Sequence, residues 1–227
     1  MKKTFISLMV IVFAISSSIK AQQMKAVDLG LSVKWASCNL GTSQPEGAGD
    51  FYTWGDIKKW DESRTGDGKW FKMKWFYGTE GRVGGDGFTK YGYKDQEDYW
   101  SGTGDPDGKT SLEMADDAAH VKLGGTWRMP TYKEILELYN NCTWEWRIQN
   151  GVKGYKVTSN RNGRSIFLPI VGHWFGNKFK DDLFSCYMSS TLWENSCHCW
   201  GIKLSNHDVE IGNVYRNQGY SIRPVCR

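Results

Sequence analysis

The sequence predicts an α+β domain, on three observations: one strongly patterned helix near the middle, period-two apolar runs on both sides of it, and turn residues between the later runs. The helix is the clearest element. Thr131 stands as an N-cap with Glu134 three residues on, the pattern of a capping box. Ile135, Leu138, Tyr139 and Cys142 follow at i, i+3, i+4 and i+7, which lays an apolar stripe along one face. Asn140 and Asn141 are its expected terminators. Upstream, Asp116-Asp117-Ala118-Ala119 predicts a shorter helix with acid in its first turn, where the helix dipole favours it, ended by Gly124 and Gly125.

The strands are read from alternation. Val27, Leu29, Leu31, Val33 and Trp35 predict a half-buried strand or a tight pair of strands around Gly30, and Asp50 to Trp54 a further short strand. Tyr155-Lys156-Val157-Thr158 and Ser165-Ile166-Phe167-Leu168 flank Asn162-Gly163, a strong hairpin signal. Trp200 to Leu204 and Val209 to Ile211 flank the turn Ser205 to Asp208. Tyr220 to Val225 closes the chain as a strand that must end or lie at an edge at Pro224, which has no N–H to donate. Residues 55–110 show neither period. They are rich in Gly, Lys and Asp with Trp60, Trp70, Trp75, Phe76, Tyr91, Tyr93, Tyr99 and Trp100 scattered among them, an elaborated loop region held down by its aromatics.

Composition bounds the function. Lys2 and Lys3 precede an apolar run from Phe5 to Ile15, and small residues lead to Ala21, which is the layout of an export signal cleaved after residue 21. The run is too short for a permanent bilayer span. The remainder, 22–227, is the size of a single domain. The net charge of +4 includes Lys2, Lys3 and Lys20, so the exported part is nearly neutral and nothing points to nucleic acid or to an anionic membrane. Twelve Trp residues set the sequence apart. They either pin loops as buried anchors or line a binding face. Six cysteines in an exported chain permit disulfides without choosing among the fifteen full pairings.

Several blocks resemble a known family. Val27-Asp28-Leu29-Gly30-Leu31-Ser32-Val33-Lys34-Trp35-Ala36-Ser37-Cys38-Asn39 is similar to the opening of the Fibrobacter succinogenes major paralogous domain family of Bacteroidota. Asp116 to Ala119, Gly124 to Thr131, Asn141 to Trp144, Gly154 to Ser159, Ser165 to Pro169 and Ser221 to Val225 continue the resemblance in the family's order. It departs at Tyr187-Met188-Ser189-Ser190, where the family has Tyr-Trp-Ser-Ser, and over 54–99, which has no fixed counterpart. The resemblance implies a C-type-lectin-like fold, two short helices packed on small antiparallel sheets, related to formylglycine-generating enzymes and to the variable proteins of diversity-generating retroelements. In such folds the first and last strands lie side by side. It therefore implies a disulfide from Cys38 to Cys142 or to Cys226, worth about 3–5 kcal/mol in the chain-entropy model.

No catalytic motif accompanies these blocks. There is no Gly-x-Ser-x-Gly elbow, no His-Glu-x-x-His and no phosphate-binding glycine loop. Ser189 and Ser190 read as a polar turn. Cys197-His198-Cys199 has ligand types suited to zinc or copper, but adjacent strand residues point to opposite faces, so no metal site and no cofactor is expected. What remains is a surface: Trp193, Glu194, Asn195, His198, Trp200, Asn206, His207, Asp208, Asn213, Tyr215 and Asn217 mix rigid aromatics with adaptable polar groups, as paratopes do. The expected function is a non-catalytic binding domain in the periplasm, at the cell surface or outside the cell, facing a glycan or protein ligand. The alternatives are an oxidase of the formylglycine-generating type using Cys197 or Cys199, or a structural envelope domain. The exported chain is expected to begin at Gln22; N-terminal mass spectrometry of secreted protein checks this, and a product retaining residues 1–21 contradicts it.

Overall fold

The computed structural model describes residues 24–60, 76–77, 87–94, 106–176, 178–181, 183–206 and 208–227. The segment expected to be an export signal, much of the 55–110 region and His207 lie outside the described residues. The strands in chain order are β1 (Ala26–Val27), β2 (Lys34–Ala36), β3 (Phe51–Tyr52), β4 (Phe76–Tyr77) and β5 (Gly87–Phe88). Two helices follow, α1 (Ala118–Leu123) and α2 (Tyr132–Asn141). Then come β6 (Cys142–Gln149), β7 (Val152–Ser159), β8 (Ser165–Pro169), β9 (His173–Phe175), β10 (Lys178–Lys180), β11 (Phe184–Leu192), β12 (His198–Ser205), β13 (Val209–Tyr215), β14 (Tyr220–Ser221) and β15 (Val225–Cys226). This is an α+β architecture of small, mostly antiparallel sheets with two helices.

The largest sheet has the order β13-β12-β11-β14-β3, and it is antiparallel except where β11 and β14 run side by side in parallel. Its central strand β11 is buried on both faces. Alternation along β12 sends Ile202 and Leu204 into one core with Ile135, Leu138, Val157, Leu168 and Trp35, and Cys199 into a second core with Trp54, Tyr91, Met129, Met188 and Val214. Gly201 lies where β11 comes close, because a Cβ there would stand 2.7 Å from Tyr187 O and 2.6 Å from Val214 Cγ2. A three-stranded meander, β6-β7-β8, covers the other side of the first core.

The two ends of the chain meet. β1 and β2 form the tight pair expected around Gly30, whose φ of 69° is the left-handed conformation glycine adopts freely. β15 then pairs antiparallel with β2, Val225 opposite Trp35 and Cys226 opposite Lys34. The expected single closing strand is divided into β14 and β15. Between them Pro224 cannot donate to a ladder, and the Arg223 side chain turns inward. Its buried guanidinium donates to Asn39 Oδ1 at 2.9 Å, Ala36 O at 3.1 Å and Phe167 O at 2.8 Å.

Three further expectations are corrected. Ser189 and Ser190 are not a polar turn: they lie buried in β11, in the middle of the largest sheet. The disulfide from Cys38 is not formed, to Cys142 or to Cys226. Cys226 stands across from Lys34, Cys142 stands opposite Ser159 at the end of α2, and Cys38 Sγ instead lies 3.4 Å from Met24 Sδ and 2.9 Å from Thr42 O. In the shorter helix, Asp117 is the N-cap, accepting from His120 N, rather than a first-turn residue.

The capping box of α2 is built as expected: Thr131 accepts from Glu134 N, and Glu134 accepts from Thr131 N. Glu134 also takes both Arg128 guanidinium nitrogens, at 2.8 and 2.5 Å. Burial alone would raise the Glu134 pKa, but the hydrogen bonds from Arg128 and Thr131 outweigh it and hold the carboxyl below its usual 4.5. The unfolded chain therefore binds this proton more readily, so the contribution is present above pH 4.5 and is lost as pH falls through the lowered folded value. Glu134→Gln is expected to destabilise the domain at pH 7 by about 1–2 kcal/mol, with the gap from wild type narrowing as pH falls toward 3. Urea denaturation of both proteins across that range checks it.

Candidate functional site

The residues proposed from sequence to form a ligand face divide into three groups. The first is an aromatic ladder. Trp200 on β12 is flanked by the Tyr132 ring on one side, stacked with centroids 3.8 Å apart, and by Trp193 on the other, tilted at 3.8 Å. All three side chains are half-buried. Tyr132, the first residue of α2, was not singled out from sequence, although three residues before Ile135 and seven before Tyr139 it continues the apolar stripe.

A bulge in β11 brings the ladder together. Met188 pairs with Gly201 and Leu192 with Cys199, so three residues of β11, Ser189 to Thr191, face the single residue Trp200. Each of the three is used. Ser189 O accepts from Trp54 Nε1 at 2.7 Å, Ser190 N donates to Pro130 O at 2.7 Å, and Thr191 Oγ1 accepts from Tyr132 N at 3.1 Å. The bulge thus fastens the start of α2 to the sheet at the point where Tyr132 covers Trp200.

The second group is the turn between β11 and β12. Here the sequence suggested adaptable surface, and the structure shows pinned side chains. Asn195 Oδ1 accepts from Cys197 N at 3.1 Å and lies 2.7 Å from His198 Nδ1. His198 is only 8% exposed, its ring 4.4 Å from that of Tyr215. Tyr93 donates from its hydroxyl to Trp193 O at 2.9 Å and from its amide to Ser196 Oγ at 3.2 Å. Beneath the turn, the Arg216 guanidinium is sandwiched between the Trp54 and Phe88 rings, 4.5 and 4.1 Å from their centroids, and donates to Tyr91 O and Ser196 O. Burial pulls its pKa down to about 9, which leaves it charged at neutral pH. Asn217 is half-buried, and its Oδ1 is shielded from solvent without a donor among the described residues.

The third group is exposed: Glu194, Asn206, Asp208, Asn213 and Tyr215, the last 47% exposed. Asn213 accepts from Lys203 Nζ at 3.2 Å. Asp208 Oδ1 accepts from Val209 N at 2.8 Å, and its backbone closes the β12–β13 turn with Ser205.

Cys197, His198 and Cys199 do not converge. Cys199 lies within the second core, where burial pushes its thiol pKa far up, whereas His198 faces Asn195 and Tyr215. Among the described residues no group of three or more His, Cys, Asp or Glu side chains is arranged to hold a metal ion, and no helix is long and apolar enough to cross a membrane. Comparison with protein-family models, with curated proteins and with solved structures finds no match to this chain.

The ladder predicts an order of stability effects. Among the described residues Trp200 contacts two aromatic rings, Tyr132 and Trp193, and Trp193 contacts one, Trp200. An aromatic pair adds about 0.5–1.5 kcal/mol beyond area burial. Trp200→Ala is expected to cost about 3 kcal/mol and Trp193→Ala about 1 kcal/mol less, read by thermal and urea denaturation. Equal losses would remove the ladder as the reason.

Proposed function

We propose that this chain is an exported, non-catalytic binding domain of C-type-lectin-like architecture that contacts a glycan or protein ligand through β12, β13 and the turns flanking them. One observation carries the reading: the half-exposed ladder Tyr132–Trp200–Trp193 stands on a turn whose backbone is held by Tyr93, Asn195 and Arg216. A rigid aromatic anchor beside exposed polar groups is how recognition surfaces obtain affinity at low entropic cost. The architecture is supported by the pairing of β2 with β15, which sets the first and last strands side by side, and by the blocks resembling the major paralogous domain family, with their diversity-generating relatives.

The oxidase alternative needs a reactive C-terminal thiolate. Through Cys199 it has less support, because that thiol is sealed in a core and held protonated by burial, which leaves half-buried Cys197 as the thiol it would need. A structural envelope domain would need no half-exposed ladder.

The experiment is a ligand screen of printed glycans and secreted proteins with wild type and two variants. Trp193→Ala is expected to weaken retention by about 2 kcal/mol, roughly thirtyfold. The triple variant Glu194→Ala, Asn206→Ala, Asn213→Ala is expected to keep its melting behaviour, with each change within about 0.5 kcal/mol, while its ligand preference shifts. Unchanged binding in both variants would assign the surface to scaffold.

A further inference from the structure

A second site lies at the opposite end of α2 from the ladder. Tyr139 and Asn140 at the end of α2, Trp144 on β6, Tyr155 on β7, and Asp208 and Val209 at the β12–β13 turn line an open cleft of about 470 Å³. That volume is within the range of small-ligand sites. Tyr132 and Tyr139 are seven residues apart, two helical turns, so ladder and cleft are separated by about 10 Å along α2. The cleft shares α2 and the strand pair β12–β13 with the ladder but no lining residue, so each can be tested by its own variants.

We propose that this cleft binds one ring of a neutral saccharide, which lies against Tyr139 and Trp144 and hydrogen-bonds through its hydroxyls to Asp208 and Asn140. The rings are not stacked upon one another. Tyr139 and Trp144 are inclined at 48° with centroids 6.1 Å apart, and Trp144 and Tyr155 at 66° and 6.3 Å, so neither neighbour stacks face to face on Trp144, while Tyr155 is buried at the base. Tyr139 is 39% exposed. A pyranose offers what this lining matches, an apolar C–H face and a rim of hydroxyls.

The polar groups set the class further. Asp208 is exposed, and only its Oδ1 is engaged, by Val209 N. Its Oδ2 has no hydrogen bond among the described residues. Asn140 is exposed at the helix end. Trp144 keeps its buried indole N–H without an acceptor among the described residues, and a hydroxyl oxygen reaching it would supply one. The Tyr155 hydroxyl already donates to Ser205 O at 2.9 Å, so that residue contributes its ring. Among the described lining residues there is no lysine or arginine, so an anionic ligand would meet the Asp208 carboxylate without compensation from them. A peptide is disfavoured for a different reason: the described lining holds one aliphatic side chain, Val209, to receive an apolar anchor.

The test uses the exported protein on a printed array of neutral, sialylated and sulfated oligosaccharides. The best neutral member is then titrated while the indole N–H signals are followed by NMR, with Trp144→Phe assigning the Trp144 signal. Neutral members are expected to be retained, and the Trp144 signal to move on titration. Tyr139→Ala and Asp208→Asn, both at exposed positions, are each expected to lower affinity about tenfold or more with unchanged melting. Loss in those two variants assigns binding to the cleft whatever Trp193→Ala does. Retention of no neutral member, retention of charged members alone, or binding that survives both cleft variants would overturn the proposal.

Discussion

A guanidinium buried away from water is tolerated only where its donors are answered, and Arg223 is placed where three segments must be answered together. Asn39 follows the N-terminal strand pair, Ala36 ends it, and Phe167 lies within β8. One side chain therefore joins the first strands, the meander over the first core and the segment leading to the last strand. The surface proposed to bind a ligand is tied to this junction, since β11 to β14 of the largest sheet and β15 of the closing pair are successive parts of the same C-terminal segment. Arg216, seven residues earlier, repeats the device with aromatic rings above and below the cation, and holds the turn that carries Trp193. Removing either cation would leave carbonyl oxygens buried without donors, so neither position accepts a neutral residue cheaply.

The sequence was most legible where a local rule decides the outcome. The capping box of α2, the tight turn at Gly30 and the hairpin through Asn162-Gly163 depend on residues close together in the chain, and each formed where the pattern placed it. Legibility failed where distant partners override local character. Ser189 and Ser190 look like turn residues, yet their backbone groups are taken up by Trp54, Pro130 and Leu112, which no local pattern announces. A strand buried on both faces has no single polar side to alternate with, and β11 went unrecognised for that reason.

The proposed ligand face shows the same division at finer scale. Exposure of Glu194, Asn206, Asp208 and Asn213 follows from polar residues on a turn or an edge strand. His198 and Asn195 are equally polar but are drawn inward by contacts with Tyr215 and Cys197. The aromatics of the poorly patterned 55–110 region act as the composition suggested where they are described. Trp60 stacks on Trp174, and Tyr91 packs edge-on against Trp54. The cleft beside α2 had one visible signal, the place of Tyr139 on the apolar stripe; its other walls come from three separate strands and a turn.

The pairing of β2 with β15 also constrains how the chain reaches this fold. Contacts between the two ends carry the greatest loop-closure cost available to the molecule, and chains rich in such distant pairings fold slowly. In a chain made from its N-terminus onward, Trp35 and its neighbours must wait for Val225 to arrive, with their free backbone edge open to other chains in the interval. The meander β6-β7-β8 and helix α2 are local enough to form beforehand. Assembly therefore proceeds from the middle outward, and deletions near the C-terminus are expected to appear as aggregation of the whole domain rather than as loss of one strand.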